Sequence, residues 1–175
     1  MSFDIDKIEL ARRITEAYGQ LAGLIDLLSP EQMERPHAIG ALSIKDLLAH
    51  LIAHEQRALQ ELRAARQGRP LMIDHAANNA FNAGAVAAAA PIDTSSIRAA
   101  WERSVQQVLA AIQALPDADF LPNSALTQIL EDSIDGALGN NTYGHYIEHR
   151  PEVEAWLDNL EAGRGGANDG GGIQP

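Results

Sequence analysis

Cysteine is missing altogether from this 175-residue chain. That absence excludes disulfides, thiolate metal sites and every cysteine nucleophile together. Aromatic residues are scarce at 5%, so aliphatic side chains must build most of the core. Positive charge is also short: 13 Lys and Arg against 24 Asp and Glu give a formal net charge of −11. No basic run is long enough to neutralise a stretch of phosphates, so the composition predicts no nucleic-acid partner. No apolar run approaches the roughly 18 residues that span a bilayer, and the opening MSFDIDKIEL is charged rather than shaped like a signal peptide. No membrane partner and a cytoplasmic location are therefore expected.

What is present is 46% hydrophobic residues, in a length that suits one domain able to bury about 70% of its unfolded surface. Apolar residues recur at helical spacing in four segments, with no sustained strand alternation. In residues 4–28, Ile14, Tyr18, Leu21, Ile25 and Leu28 follow one another at intervals of 4, 3, 4 and 3, up to Ser29-Pro30. The second segment starts at Ser43, a cap with Asp46 three residues on, and carries Ile44, Leu47, Leu48, Leu51, Leu59 and Leu62 to about residue 66. A third opens at Asp93-Thr94-Ser95 and runs through Trp101, Val105, Val108 and Ile112 until Pro116 stops it. A fourth is predicted from about residue 125 through Ile134 and Leu138 to at least His149, with a kink or a new start at Pro151.

About 25 residues separate the second and third helices, too many for a hairpin between antiparallel neighbours, which predicts a crossover along the bundle. From Gly163 onward, GRGGANDGGGIQP holds 6 of the chain's 14 glycines and reads as a disordered tail. The expected organisation is a helical-bundle domain over 1–162 and a glycine-rich tail over 163–175.

Histidine is left as the conspicuous reactive side chain, with 6 in the chain. Two pairs stand at i, i+4 in predicted helices: His50 with His54 in AHLIAHE, and His145 with His149 in GHYIEHR. Side chains four apart share a helical face, so two imidazoles can offer lone pairs to one metal ion. On the fourth helix the pair continues the stripe of Ile134 and Leu138 and should face the interior; on the second, His54 and His50 flank the apolar arc. Each alone is an ordinary surface or hydrogen-bonded histidine by base expectation, but jointly they make a metal site as good a reading as none. His37 and His75 sit in loops and are set aside. Glu55 falls mid-arc, where an unpaired carboxylate is costly, so it is a candidate for orienting a histidine, for a fourth ligand or for a solvated bundle end. Tyr146 is a packing residue or, leaning toward a metal, a pocket residue.

LSIKDLLAHLIAHE followed some 90 residues later by NTYGHYIEHRPEVEAWL resembles the DinB/YfiT-like superfamily of metalloenzyme-type bundles, including its ClbS/DfsB-like branch. The resemblance spans about residues 4–160 and its specific part is those two stretches. It implies an all-α four-helix bundle of up-down-down-up topology, with the long crossover between helices two and three. It further implies a divalent metal, nickel or zinc, held by His50, His145 and His149, with His54 as an extra ligand only by departure from the family pattern. Leu42 stands where many members carry tryptophan.

The family's activities include thiol-dependent transfer and isomerisation and the opening of reactive rings. The resemblance thus implies a metal-dependent enzyme acting on a small molecule, a thiol-dependent transferase or a hydrolase, with a low-molecular-weight thiol as a second cofactor; Glu55 and Tyr146, from the reading of the residues themselves, stand as the candidate catalytic groups. The competing reading is a non-catalytic helical interaction or stress-response protein whose histidines are incidental. A di-iron carrier is disfavoured because the Glu-x-x-His pairs of such bundles are missing from the helices. Aromatic edges on the surface make a homodimer an expectation as well.

Overall fold

Three of the four longest helices begin at a side-chain cap that satisfies backbone donors no helical carbonyl can reach. In the computed structural model, which describes residues 5–71 and 75–163, α1 (Lys7–Ile25) starts at Asp6, whose carboxylate accepts from the Glu9 N–H at 2.8 Å. After the single turn α2 (Pro30–Met33), α3 (Ile44–Arg66) opens with the expected capping box: Ser43 accepts from the Asp46 N–H, and the Asp46 carboxylate accepts from the Ser43 N–H. Asp93 caps α5 (Thr94–Gln113) by accepting from the Ser96 N–H at 2.8 Å.

The connection between α3 and α5, expected as a crossover, carries elements of its own that the spacing did not predict. It contains a 3₁₀ turn at residues 75–77 and a further helix, α4 (Asn78–Ala89), lying against α3. Alanine-rich sequence has little apolar periodicity but strong intrinsic helix propensity, which is why spacing alone missed α4.

The predicted fourth helix is also corrected. It is divided into α6 (Ala125–Leu130), α7 (Ile134–Gly139) and α8 (Tyr143–Glu161). Glu131 ends α6 in the left-handed region at φ 55°, and Ser133 recaps the chain by accepting from the Gly136 N–H. Between α7 and α8 the backbones come close enough that a Cβ at Gly144 would stand 3.1 Å from the Gly139 carbonyl oxygen. Local polar competition and close approach thus override a stripe that read as continuous. Pro151 lies inside α8 and opens no new helix.

The core is one cluster of buried aliphatic side chains with three large rings: Leu10, Ile14, Leu21 and Ile25 from α1, Leu47, Leu51 and Leu59 from α3, Trp101, Val108 and Ile112 from α5, and Tyr146, Val153 and Trp156 from α8. Polar contacts lock the long helices side by side. Lys7 donates to the Leu115 carbonyl at 2.9 Å, Arg98 pairs with Asp26 at 3.0 Å, Gln56 donates to Ser104 at 2.9 Å, and Arg150 donates to Gln20. The fold is all-α, and no strand is formed among the described residues. No helix among them is long and apolar enough to cross a membrane. The tail expected over 163–175 lies, beyond Gly163, outside the described residues.

Candidate metal centre

His50 on α3 and His145 and His149 on α8 converge, although 95 residues separate the first two. One ring nitrogen from each lies within 4.8 Å of the others. His50 Nε2 and His145 Nε2 are 2.9 Å apart, and the His145 and His149 rings are 4.9 Å apart between centroids. His145 is buried and the other two half-buried, so the cluster sits at the edge of the core with one side open. Their placement follows from the helix repeat: a residue and its fourth successor share a face, so α8 sends both imidazoles toward α3.

The electrostatics keep the His50 and His145 rings uncharged. Burial pushes the His50 ring down to about 4 and the His145 ring down to about 3, reinforced by the neighbouring histidines. His149 Nδ1 is 2.6 Å from Glu152 Oε2; a carboxylate accepts, so the ring donates there and Nε2 is the nitrogen left to ligate a metal. A carboxylate behind a histidine is the usual partner of a metal-bound imidazole. Glu152 was not singled out from the sequence, though its i+3 spacing from His149 was there to be read.

The donor set fits a divalent ion of the zinc or nickel kind. Neutral imidazoles suit such metals, and tetrahedral ligation at about 2.0–2.1 Å would hold nitrogens roughly 3.3 Å apart. The closest pair, at 2.9 Å, is near that spacing, and the widest separation of 4.8 Å needs the rings to draw in.

His54 is differently engaged, although its ring lies 4.5 Å from that of His50. Arg57 Nη2 stands 3.1 Å from His54 Nδ1, and His54 Nε2 stands 3.0 Å from Asn82 Oδ1 and donates to it. Both nitrogens are thereby occupied. Asn141 Oδ1 is a further neighbour at 3.2 Å. His37 remains in a loop, its Nδ1 3.3 Å from the Gly40 carbonyl, and His75 falls in the 3₁₀ turn before α4.

Glu55 and Tyr146 are brought together beneath the histidines. Both are fully buried, and Glu55 Oε1 accepts from the Tyr146 hydroxyl at 2.6 Å and from the Trp101 indole at 3.0 Å. Oε2 has no hydrogen-bond partner among the described residues. Burial pushes the Glu55 carboxyl up to about 7 against the pull of Ser104, Tyr146 and Trp101, and Tyr146, buried beside it, is pushed well above its ordinary value. The knot joins α3, α5 and α8.

Residues 14–128 match the model of the mycothiol maleylpyruvate isomerase N-terminal domain. The chain belongs to that family, within the DinB-like superfamily. The match takes in His50 but ends before His145 and His149. No curated protein matches the chain. Among solved structures, the sibling lethal factor precursor DfsB superposes with a TM-score of 0.77 at 17% identity, over 89% of this chain and 97% of that one. The colibactin self-resistance protein ClbS in complex with a dsDNA gives 0.75 at 13% identity, over 87% and 95%. An uncharacterised protein from Escherichia coli UTI89 gives 0.72 at 14% identity, over 89% and 95%.

The ClbS complex corrects one expectation. Acidic composition predicted no nucleic-acid partner, yet a protein of this fold is seen with dsDNA. A net charge sums the whole surface, whereas binding depends on the local field and donors of one face, so −11 does not exclude nucleic acid.

Proposed function

We propose that this chain is a metal-dependent enzyme acting on a small molecule, of the thiol-dependent transferase or hydrolase type, with nickel or zinc held by His50, His145 and His149. The supporting observation is the convergence of three imidazoles from two helices, with ligand atoms within 4.8 Å of one another. A bound divalent ion would supply Lewis acidity, lowering the pKa of a water or an added thiol so that a nucleophile exists near neutral pH. Because the chain has no cysteine, any thiol is a soluble cofactor.

The protein's own residues do the positioning. Glu152 holds the His149 ring through Nδ1, leaving Nε2 for ligation. Glu55 and Tyr146 are sealed from solvent, so they act as positioning residues: their bond fixes the rotation of α8 on α3 and hence the aim of His145, the residue before Tyr146.

The helix order behind this site is read as up-down-down-up, within a bundle domain over 1–162. Arg13 near Tyr143 and Gln20 near Arg150 support α1 and α8 running the same way; Lys45 on the Ala90 carbonyl and Gln56 on Ser104 support the same for α3 and α5. Lys7 on the Leu115 carbonyl supports α1 and α5 running oppositely.

The test is metal content by elemental analysis of protein purified without a histidine tag, with thermal shifts on adding nickel or zinc. About one ion per chain, lost in His145→Ala, is the expected result. Clean folding, no metal and no shift would return the chain to a non-catalytic helical interaction role.

A further inference from the structure

Beyond the histidines, α3 continues the same face with a cation. His50, His54 and Arg57 stand at i, i+4 and i+7, within about 60° of one another on the helix. Arg57 is half-buried, lies over the Phe81 ring at 4.6 Å, and donates through Nη1 to Asn78 Oδ1 at 2.8 Å and through Nη2 to His54. Its hydrogen-bond partners among the described residues are therefore neutral, and its Nε, shielded from solvent, has none. Glu61, one turn further along α3, acts on the guanidinium through its charge, and burial outweighs it. A half-buried cation without a bonded carboxylate is a costly arrangement that an incoming anion would relieve.

The orientation of two neighbouring amides strengthens the case. A guanidinium only donates, so it turns the Asn78 oxygen toward itself, and His54 Nε2 does the same to the Asn82 oxygen. With both carbonyls engaged in this way, the two amide NH₂ groups remain as donors for another acceptor. Asn78 and Asn82 are four apart on α4, so the two amides lie on one helix face, joined to Arg57 and His54 beside the histidine cluster. A planar guanidinium flanked by amide donors matches a carboxylate, and one cation without a second nearby Lys or Arg bonded to the group suits a single negative charge.

We propose that Arg57, with the amide groups of Asn78 and Asn82, forms an anion subsite beside the histidine cluster that takes a carboxylate of a small-molecule substrate. The proposal rests on the histidine cluster being the reacting centre only for the direction in which the rest of the substrate points. Arg57 orients the ligand; the histidines face its reacting end.

Succinate, whose two carboxylates could engage Arg57 and a bound ion at once, is the probe, with succinamide as the neutral control. Calorimetric titration is run on the full chain, metal-free and zinc-treated. Binding of succinate but not succinamide is expected, tighter in zinc-treated protein, and Arg57→Gln should weaken both by about 10-fold or more, the scale of a charge-assisted hydrogen bond. Asn78→Asp guards against a folding artefact: it keeps the fold, gives Arg57 an internal carboxylate, and should abolish succinate binding. Unchanged affinity in either variant, equal binding of succinamide, or no binding to the parent at about 10 mM overturns the subsite. Arg57-dependent succinate binding with no zinc taken up would keep the subsite and sink the metal reading instead.

Discussion

Replacing Glu55 with glutamine tests whether the carboxyl in the core is held as the neutral acid. Glu55 is fully buried, and its carboxyl is raised from 4.5 to about 7, chiefly by burial. A folded-state pKa above the unfolded one means that the native protein binds the proton more tightly between those values. Stability from this group is therefore full below pH 4.5 and is lost as pH rises through about 7. That difference corresponds to roughly 3 kcal/mol.

Glutamine has the same shape and a carbonyl that can accept from Tyr146 and Trp101, but carries no charge at any pH. Glu55→Gln should match the parent within about 1 kcal/mol at pH 5 and exceed it by about 1 to 3 kcal/mol at pH 8. Urea unfolding with a chelator present, followed by the fluorescence of Trp101 and Trp156, provides the assay. His50 and His145, lowered by burial, give the opposite trend, with stability lost as pH falls below 6.5, but they are common to both proteins and cancel in the difference. A variant that loses more stability at pH 8 than at pH 5 would refute the reasoning, because it would mean that the two donors hold a stabilised carboxylate.

In metal-free protein at pH 5.5 the His50 and His145 rings should be neutral, which nitrogen-resolved NMR reads directly; protonated rings at that pH would contradict their burial. Glu152→Gln should weaken zinc binding by about 10-fold or more while leaving the fold intact, and equal affinity would remove the carboxylate from the site. Helix α4 has no side-chain cap and only Ala89 fully buried, so its amides should exchange far faster than those of mid-α3; equal protection would show it firmly docked. Pro151→Ala restores a backbone donor inside α8 and should raise stability by about 1 to 3 kcal/mol in the same urea assay, and a loss would mean that Pro151 shapes the helix usefully.

Much of the core was legible because periodicity reports burial directly. The stripe from Ile14 to Ile25, the Ser43 and Asp46 box, and the run from Trp101 to Ile112 all hold as read. Where spacing misled, a local term had stronger standing: Ser133 and the left-handed Glu131 cut the fourth segment, and alanine propensity made a helix of the crossover. The two histidine pairs were visible as helical spacing, and the family resemblance implied which three would meet. The engagement of His54 by Arg57 and Asn82, and of His149 by Glu152, depended on which side chains stand opposite and which can only donate.

The sequence by itself determined that the chain is helical and acidic, that any metal must be held by nitrogen and oxygen, and that any thiol must be brought in, because residue type and spacing fix those without knowledge of neighbours. Which imidazoles converge, that Glu55 and Tyr146 are sealed together, and that Arg57 is hydrogen-bonded to Asn78 were decided by tertiary packing. Those contacts join residues 21 to 95 positions apart, and pairing at that range is set by how helices dock, not by the local order of the chain.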